Sequence, residues 1–377
     1  MSFITGSGLT RYGRHDGCGT LDLMSMATDL ALADAGLARA DIDALVCGYS
    51  TTLPHLMLAT VFAEHYGLKP GYAHAVQLGG ATGFALAMLA HLLTASGSAR
   101  RVLVVAGENR MTGQSRDSAV QVLAQVGHPV YEVPLGATIP AYYGLVASRY
   151  MHEFGSTEAD VAELAVAMRR HAALHDGAQF RNPIGVADVM ASRPIASPLK
   201  LLDCCPVSDG GCAFVVSAEA EGPHPVRICA AAQVHNFQHV SAAPSLTDVG
   251  AGACAAKALA GAGRTLADVE HAAIYDSFTI TLAMLLEEIG LAPRGRAGVL
   301  AREGHFDAGG ALPLNLHGGL LSYGHCGVGG AMAHLAETHL QMTGRAGARQ
   351  ARRAGVSLLH GDGGVLSSHV SLVLESV

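Results

Sequence analysis

Ala31-Leu-Ala-Asp-Ala-Gly-Leu-Ala-Arg-Ala-Asp-Ile-Asp43 lines up without a gap on Ala258-Leu-Ala-Gly-Ala-Gly-Arg-Thr-Leu-Ala-Asp-Val-Glu270. Each copy reads as the end of an apolar helix, a glycine stop and a polar turn. Each then enters a strand and a second turn, Val46-Cys-Gly-Tyr-Ser50 in the first copy and Ala273-Ile-Tyr-Asp-Ser277 in the second. A further pair follows in the same order. Residues 80–97 and 327–344 are glycine turns of equal length that run into apolar helices, and strand-like runs come next at 102–106 and 356–360. Likeness between two alanine-rich helices is weak by itself, but three elements in preserved order make a repeat. The chain therefore reads as one βα unit used twice, at 1–110 and 223–377. Residues 111–222 form an inserted loop or cap region with no counterpart in either copy.

Inside the first unit, residues 3–8 are predicted as a strand and 21–35 as a helix closed by Gly36. A second helix is predicted over 56–66 and a strand over 101–107. Strands and helices alternating at these lengths imply a mostly parallel sheet covered on both faces. In the insert, 151–170 reads as helix, whereas 191–199 carries too much proline for a helix interior. Composition agrees with a large, well-buried α/β protein: half of the 377 residues are hydrophobic, with 46 glycines and no tryptophan. A net charge of −7 without a basic run weighs against a nucleic-acid partner. The N-terminus lacks the charged and apolar regions of a signal peptide. The apolar runs break well short of a membrane span. Eight cysteines without Cys-x-x-Cys spacing read as buried thiols of a cytoplasmic protein, and no metal site is expected.

The chemistry concentrates in Asn315-Leu-His-Gly-Gly-Leu-Leu-Ser-Tyr-Gly-His-Cys-Gly-Val-Gly-Gly330. This stretch places His317 and His325 in a glycine-rich turn that opens a helix. A helix N-terminus after such a turn offers free N–H groups and the positive end of a dipole, suited to an anion or a developing oxyanion.

With Arg193-Pro-Ile-Ala-Ser-Pro-Leu199, Asp203-Cys-Cys-Pro-Val-Ser-Asp-Gly-Gly211, Tyr275-Asp-Ser-Phe-Thr279 and Pro313-Leu-Asn-Leu-His317 added, the chain resembles the thiolase superfamily, in its sterol-carrier-protein-type branch. The resemblance covers nearly the whole length. It implies a five-layer αβαβα fold of two similar halves with an inserted loop domain. It also implies coenzyme A thioesters as substrates, no tightly bound cofactor, and a homodimer. Members of the family carry a nucleophilic cysteine in a turn like Cys-Ala-Ser-Gly, which here reads Gly80-Ala-Thr-Gly83, so Gly80 holds the nucleophile position. A second cysteine in a Cys-x-Gly-Gly-Gly turn is replaced by His360 in His360-Gly-Asp-Gly-Gly364. The family histidine is kept as His325, and the turn that helps to bind the thioester oxygen is Tyr275-Asp-Ser-Phe278.

A Claisen-type thiolase needs a thiolate to take the acyl group, and Gly80 supplies none. Thr82 reads as a helix cap. Cys326 sits where the family has a proline, which makes it a weak alternative nucleophile. What remains is an acid/base set of His325, His360, Tyr275, Asp276, His317 and Tyr323. The turns containing Gly79, Ala81, Thr82, Gly83, Gly363 and Gly364 are available to polarise a carbonyl. That set suits aldol or retro-aldol chemistry on a β-hydroxyacyl-CoA, where no acyl-enzyme forms. Cysteine-free thiolase-like aldolases of steroid side-chain acyl-CoAs are similar, and the resemblance implies a small OB-fold partner with a zinc ribbon. Two alternatives stand beside this reading: an acyltransferase that uses Cys326 or a partner's nucleophile, and a non-catalytic scaffold that binds acyl-CoA.

Overall fold

Nine strands make one mixed sheet in the computed structural model, which describes residues 1–377. They are β1 (Ser2–Leu9), β2 (Ala44–Gly48), β3 (Tyr72–Val76), β4 (Arg101–Asn109), β5 (Asp209–Ser217), β6 (Val226–His235), β7 (His271–Ile274), β8 (Val356–Gly363) and β9 (Ser368–Ser376). Their order across the sheet is β3-β2-β4-β5-β1-β6-β9-β8-β7. The repeat is written into this order. In the first half β2 runs parallel to β4, which pairs antiparallel with β5, and β5 with β1. In the second half β7 runs parallel to β8, which pairs antiparallel with β9, and β9 with β6. The place of β3 is taken in the second half by a single parallel bridge from Ala272 to Leu314. The halves join through a short antiparallel contact, Ser2–Ile4 of β1 against Val226–Ile228 of β6.

Strand periodicity decides how the layers form, because successive side chains point to opposite faces. Leu45 and Cys47 of β2, Leu103 and Val105 of β4, and Ala213 and Val215 of β5 face outward. They pack on α1 (Thr20–Ala35) and α2 (Leu58–Tyr66) through Met24, Ala27, Leu32, Leu58 and Phe62. The alternate residues Ala44, Val46, Val102, Val104, Phe214 and Val216 face inward and join the large central core. Two helices run through that core, α3 (Thr82–Ala95) and α8 (Val328–Met342). They touch each other and both half-sheets. The outer face of the second half-sheet is covered by α6 (Ala251–Gly261) and α7 (Thr279–Ile289). The result is the expected αβαβα layering. No helix is long and apolar enough to cross a membrane.

Two details of the insert differ from the sequence reading. The single helix expected over 151–170 is two, α4 (Ile139–Phe154) and α5 (Glu158–Ala172). Gly155 closes the first in the left-handed region, and the Thr157 side chain caps the second by accepting the Asp160 N–H at 3.1 Å. The strand at 209–217, assigned to the insert with the rest of 111–222, is β5, an interior strand of the first half-sheet. It is the partner of β4 just as β9 is the partner of β8. The inserted region therefore occupies the connection of a β-hairpin, which in the second half spans only Gly364 to Ser367. Its helices fold back onto the second half: the Tyr150 hydroxyl donates to Glu287 of α7 at 2.7 Å and the Tyr143 hydroxyl to Asp362 of β8 at 2.9 Å.

Candidate active site

The turn after β7 is held in place by a side chain that imitates a strand. Asn315 accepts the Ile274 N–H at 2.9 Å and donates to the Ile274 carbonyl at 2.7 Å. It does so from a backbone with φ of 45°, a conformation asparagine tolerates better than most residues. Tyr275 follows at once. Its N–H bonds to the carbonyl of His360, and its ring is 5 % exposed. The hydroxyl lies 3.2 Å from Nε2 of His325. His325 is fixed from the other side by the strap that ends the insert. Its N–H donates to Ser208 Oγ at 2.9 Å and its carbonyl accepts the Ser208 N–H at 3.1 Å.

The turn before α3 completes the site. A side chain begun at Gly80 would run into the Tyr275 hydroxyl and the main-chain oxygen of Asp362, the latter at 2.5 Å. The phenol of Tyr275 thus fills the space into which a nucleophile at this position would project. Thr82 is the first residue of α3, with Ala81 at the cap position. Its hydroxyl accepts the Leu78 N–H at 2.8 Å and donates to the Gly79 carbonyl at 2.6 Å, which braces the turn without capping the helix. Gly83 lies against Met332 and Ala331 of α8, leaving no room for a side chain there. Gly363 and Gly364 abut Leu78 and Gly79, so the two glycine turns touch.

The electrostatics follow from burial. Tyr275 is pushed well above the ordinary phenol value, chiefly by desolvation, with Cys205 and Asp362 adding to it and Arg110 opposing. His325 is pushed down to about 3 by burial and by the Arg110 guanidinium. At neutral pH the pair is a neutral phenol and a neutral imidazole. The Gly327 N–H points at Nδ1 of His325 at 3.1 Å, so the ring proton belongs on Nε2. His325 therefore donates to the Tyr275 oxygen, and the phenolic hydrogen is free to point elsewhere.

The other sequence candidates are placed apart from this pair. Asp276 is fully buried and faces away, accepting the Leu320 N–H at 2.7 Å and lying 3.2 Å from His334. It organises the 317–323 loop. His317 is buried inside that loop between His334 and Tyr323, with neither ring nitrogen bonded to a protein group. The Tyr323 hydroxyl is spent on the Thr10 carbonyl at 2.9 Å. His360 is a sheet residue: Nδ1 bonds Ser371 at 2.7 Å and Nε2 bonds His369 at 3.1 Å. Cys326 is buried, and its thiol is pushed up to about 12 by desolvation. Of the cations near the insert, Lys200 is paired with Glu158 and Arg181 with Asp176.

Several residues at the site are missing from the sequence reading. Arg110, next to His325, and Glu108, whose Oε2 accepts from Thr51 at 2.8 and 2.6 Å, lie at the carboxyl end of β4. That signal was available, because ligands in α/β sheets gather beyond the carboxyl ends of parallel strands. Asp362 and Tyr143 form a buried pair beside the same turn, and one carboxylate oxygen of Asp362 has no partner.

Comparison with known proteins agrees with this architecture. Residues 232–376 match the family described as thiolase C-terminal domain-like. A steroid side-chain-cleaving aldolase of Thermomonospora curvata is 33 % identical over 345 residues, covering 84 % of this chain and 85 % of the relative. An acetyl-CoA acetyltransferase of Methanothermobacter thermautotrophicus is 28 % identical over 378 residues, 97 % of this chain and 98 % of the relative. A solved structure described as an Ltp2-ChsH2(DUF35) aldolase superposes with a TM-score of 0.87 at 31 % identity, covering 100 % of this chain and 97 % of that one. With the duplicated half-sheets, the paired glycine turns and these relatives together, the chain belongs to the thiolase superfamily, in the branch that includes sterol-carrier-protein-type thiolases and acyl-CoA aldolases.

Proposed function

We propose that this protein cleaves or forms a carbon–carbon bond in a β-hydroxyacyl-CoA thioester by retro-aldol or aldol chemistry, without an acyl-enzyme. The observation that carries the reading is the Tyr275 hydroxyl, set in the space over Gly80 and hydrogen-bonded to Nε2 of His325. In the cleavage direction the β-hydroxyl gives its proton to the Tyr275 oxygen as the Cα–Cβ bond breaks. The β-carbon leaves as a carbonyl, and the bonding electrons pass into the thioester enolate. Tyr275 gives its own hydrogen to Cα in the same movement, so its oxygen never carries two protons and is a neutral phenol again at the end. A phenol held well above its ordinary pKa is no free phenolate base, so it acts as a relay, and the His325 Nε2–H supports the charge that builds on its oxygen. The N–H groups at the starts of α3 and α8, in the turns of Gly79, Ala81, Thr82 and Gly83 and beside Gly363 and Gly364, are the donors this reading assigns to the enolate oxygen.

A steroid side-chain-cleaving aldolase among the relatives supports this reaction class, and the DUF35 component named with the structural neighbour supports a partner protein, which the family resemblance makes a small OB-fold protein with a zinc ribbon. We place the protein in the cytoplasm, with eight free cysteines, and as a homodimer. The acetyl-CoA acetyltransferase relative favours a second reading, acyl transfer with a nucleophile from Cys326 or from a partner. Mixing the purified chain, with and without a co-expressed partner, with a β-hydroxyacyl-CoA and a β-ketoacyl-CoA separates the two. Free carbonyl product from the hydroxy substrate and an unchanged protein mass are expected. An acyl adduct on the protein would return the enzyme to acyl transfer.

A further inference from the structure

Arg110 is the first residue after β4, and its backbone is anchored with care. The Met111 and Thr112 N–H groups donate to Oδ1 of Asp209 at 2.7 and 3.1 Å, and the His15 N–H donates to Oδ2 of the same carboxylate at 3.0 Å. The guanidinium so placed makes no ion pair, although Glu108 lies two residues before it. Glu108 turns one oxygen to Thr51 and Thr52, and its other oxygen packs where a side chain on Gly327 would go. Arg110 instead brings Nη1 to 3.5 Å from Nδ1 of His325, and its Nε is buried without a partner. Gly327, with φ of 69°, brings its N–H to the same nitrogen.

Two donors at one ring nitrogen leave that nitrogen one role. If Nδ1 carried the proton, three N–H groups would converge. Nε2 would then be an acceptor, Tyr275 would donate to it, and the phenol would show only lone pairs to the space over Gly80. With Nδ1 as acceptor the order reverses along the chain: Nε2–H donates to Tyr275, and the phenol shows its hydrogen. We propose that Arg110 is a positioning residue that, together with the Gly327 N–H, fixes the tautomer of His325 and so decides whether Tyr275 offers a hydrogen or a lone pair to the substrate. Its consequence for turnover rests on the proposed role of Tyr275; the tautomer itself does not. The fixed positive charge beside the ring also opposes a second proton on it. The other titratable groups facing the pair are Glu108, Cys205, Asp362, Tyr49, Tyr143 and His334, none of which donates to Nδ1.

The test is nitrogen NMR on imidazole-labelled protein, with His325 assigned by subtraction of a His325→Asn spectrum, alongside kinetics of Arg110→Met and Arg110→Lys. In the unaltered enzyme His325 is expected as the neutral Nε2–H tautomer from pH 8 to pH 5. In Arg110→Met the ring is expected to show mixed tautomers and to titrate above pH 5. kcat should fall about 10- to 100-fold with KM within about threefold, and the acid limb of the pH–kcat profile should move upward. Arg110→Lys should recover most of kcat. An Nδ1–H tautomer in the unaltered enzyme, or an Arg110→Met enzyme with unchanged tautomer and pH profile, would overturn the proposal. A Tyr275→Phe enzyme that keeps full turnover while the tautomer is as expected would instead overturn the reaction assigned to Tyr275.

Discussion

The turns that open α3 and α8 occupy equivalent places in the two halves, yet they hold different chemistry. The first, Leu78 to Thr82, presents two glycines to the site and uses its one polar side chain, Thr82, to brace itself. The second, Gly324 to Gly329, presents His325, locked at its main chain by Ser208 and at its ring by Gly327 and Arg110. A duplicated fold brings both helix N-termini to one point, so that point can be served by a side chain from either. Here the first half supplies room and the second half fills it with Tyr275. If Gly80 marks a lost nucleophile, the loss need not leave a dead site: the absence of a side chain at Gly80 is what lets a phenol stand beside the histidine.

If the second half carries the chemistry, Tyr275→Phe should have the largest effect. It removes one oxygen from a ring that stays packed, so folding should be little changed. Turnover of the β-hydroxyacyl-CoA should fall by about 10²–10⁴ in kcat, the range for a positioned acid/base group. Product formation measured at saturating substrate checks this, and a loss of less than tenfold would move the relay to another group.

Gly80→Ala probes the first half. The added methyl meets the Tyr275 hydroxyl and the Asp362 main-chain oxygen, and the latter cannot move without shifting β8. Overpacking of this kind costs roughly 1–3 kcal/mol. A lower urea midpoint with an unchanged slope is expected, together with a fall in turnover as Tyr275 is displaced. An enzyme equally stable and equally active would mean that the space over Gly80 is slack and the comparison between the turns has no force.

The halves differ in a second way that acid should expose. No histidine of residues 1–110 is buried, whereas His271, His317, His334, His339, His360 and His369 are all buried in the second half. Burial holds His271, His339 and His369 down to about 4. In the unfolded chain these rings titrate near 6.5, so between about pH 6.5 and 4 the unfolded state binds more protons. Their contribution is complete above pH 6.5 and is lost as pH falls through that window, on the order of a few kcal/mol in total. Hydrogen exchange at pH 7 and pH 5 should show amides of β8 and β9 losing protection before those of β2 and β4. Equal loss in both halves would deny the asymmetry.

How far the sequence could lead is visible in these same residues. The repeat of 31–43 in 258–270 was legible because helix, glycine stop and strand entry each leave a local pattern, and the half-sheets follow it. The hairpin partnership of β4 with β5 was not, because the two strands are separated by the whole insert and only long-range pairing joins them. The turn of Tyr275 and the turn of His325 announced themselves through glycines and polar residues in apolar surroundings. Side-chain direction did not: Asp276, Tyr323 and His360 have the right chemistry in the right motifs, and their bonds go to Leu320, Thr10 and Ser371. Arg110 was legible only as a residue at the carboxyl end of β4; it stands in no glycine motif, and its contact with His325 shows only when β4 and the His325 turn are side by side.

Cys326 makes the smallest change and separates the two halves of the comparison most sharply. It is the one thiol in a glycine-turn motif, adjacent in sequence to His325, so by proximity along the chain it should matter. In the structure its side chain packs in a small buried cluster with Tyr12, Ala333 and Tyr323, whereas the His325 ring meets the Tyr275 hydroxyl. Burial pushes the thiol up to about 12, so hardly any thiolate exists at neutral pH to attack a thioester. Cys326→Ala removes a buried sulfur and should cost about 1–2 kcal/mol as a small cavity, with kcat changed less than twofold. Intact mass after incubation with an acyl-CoA should be the same for the variant and the unaltered chain, with no acyl group on either. If the unaltered chain gains an acyl mass and Cys326→Ala does not, the second half has taken over the nucleophile as well as the acid/base, and the enzyme is an acyltransferase whose thiol moved from one turn to its twin.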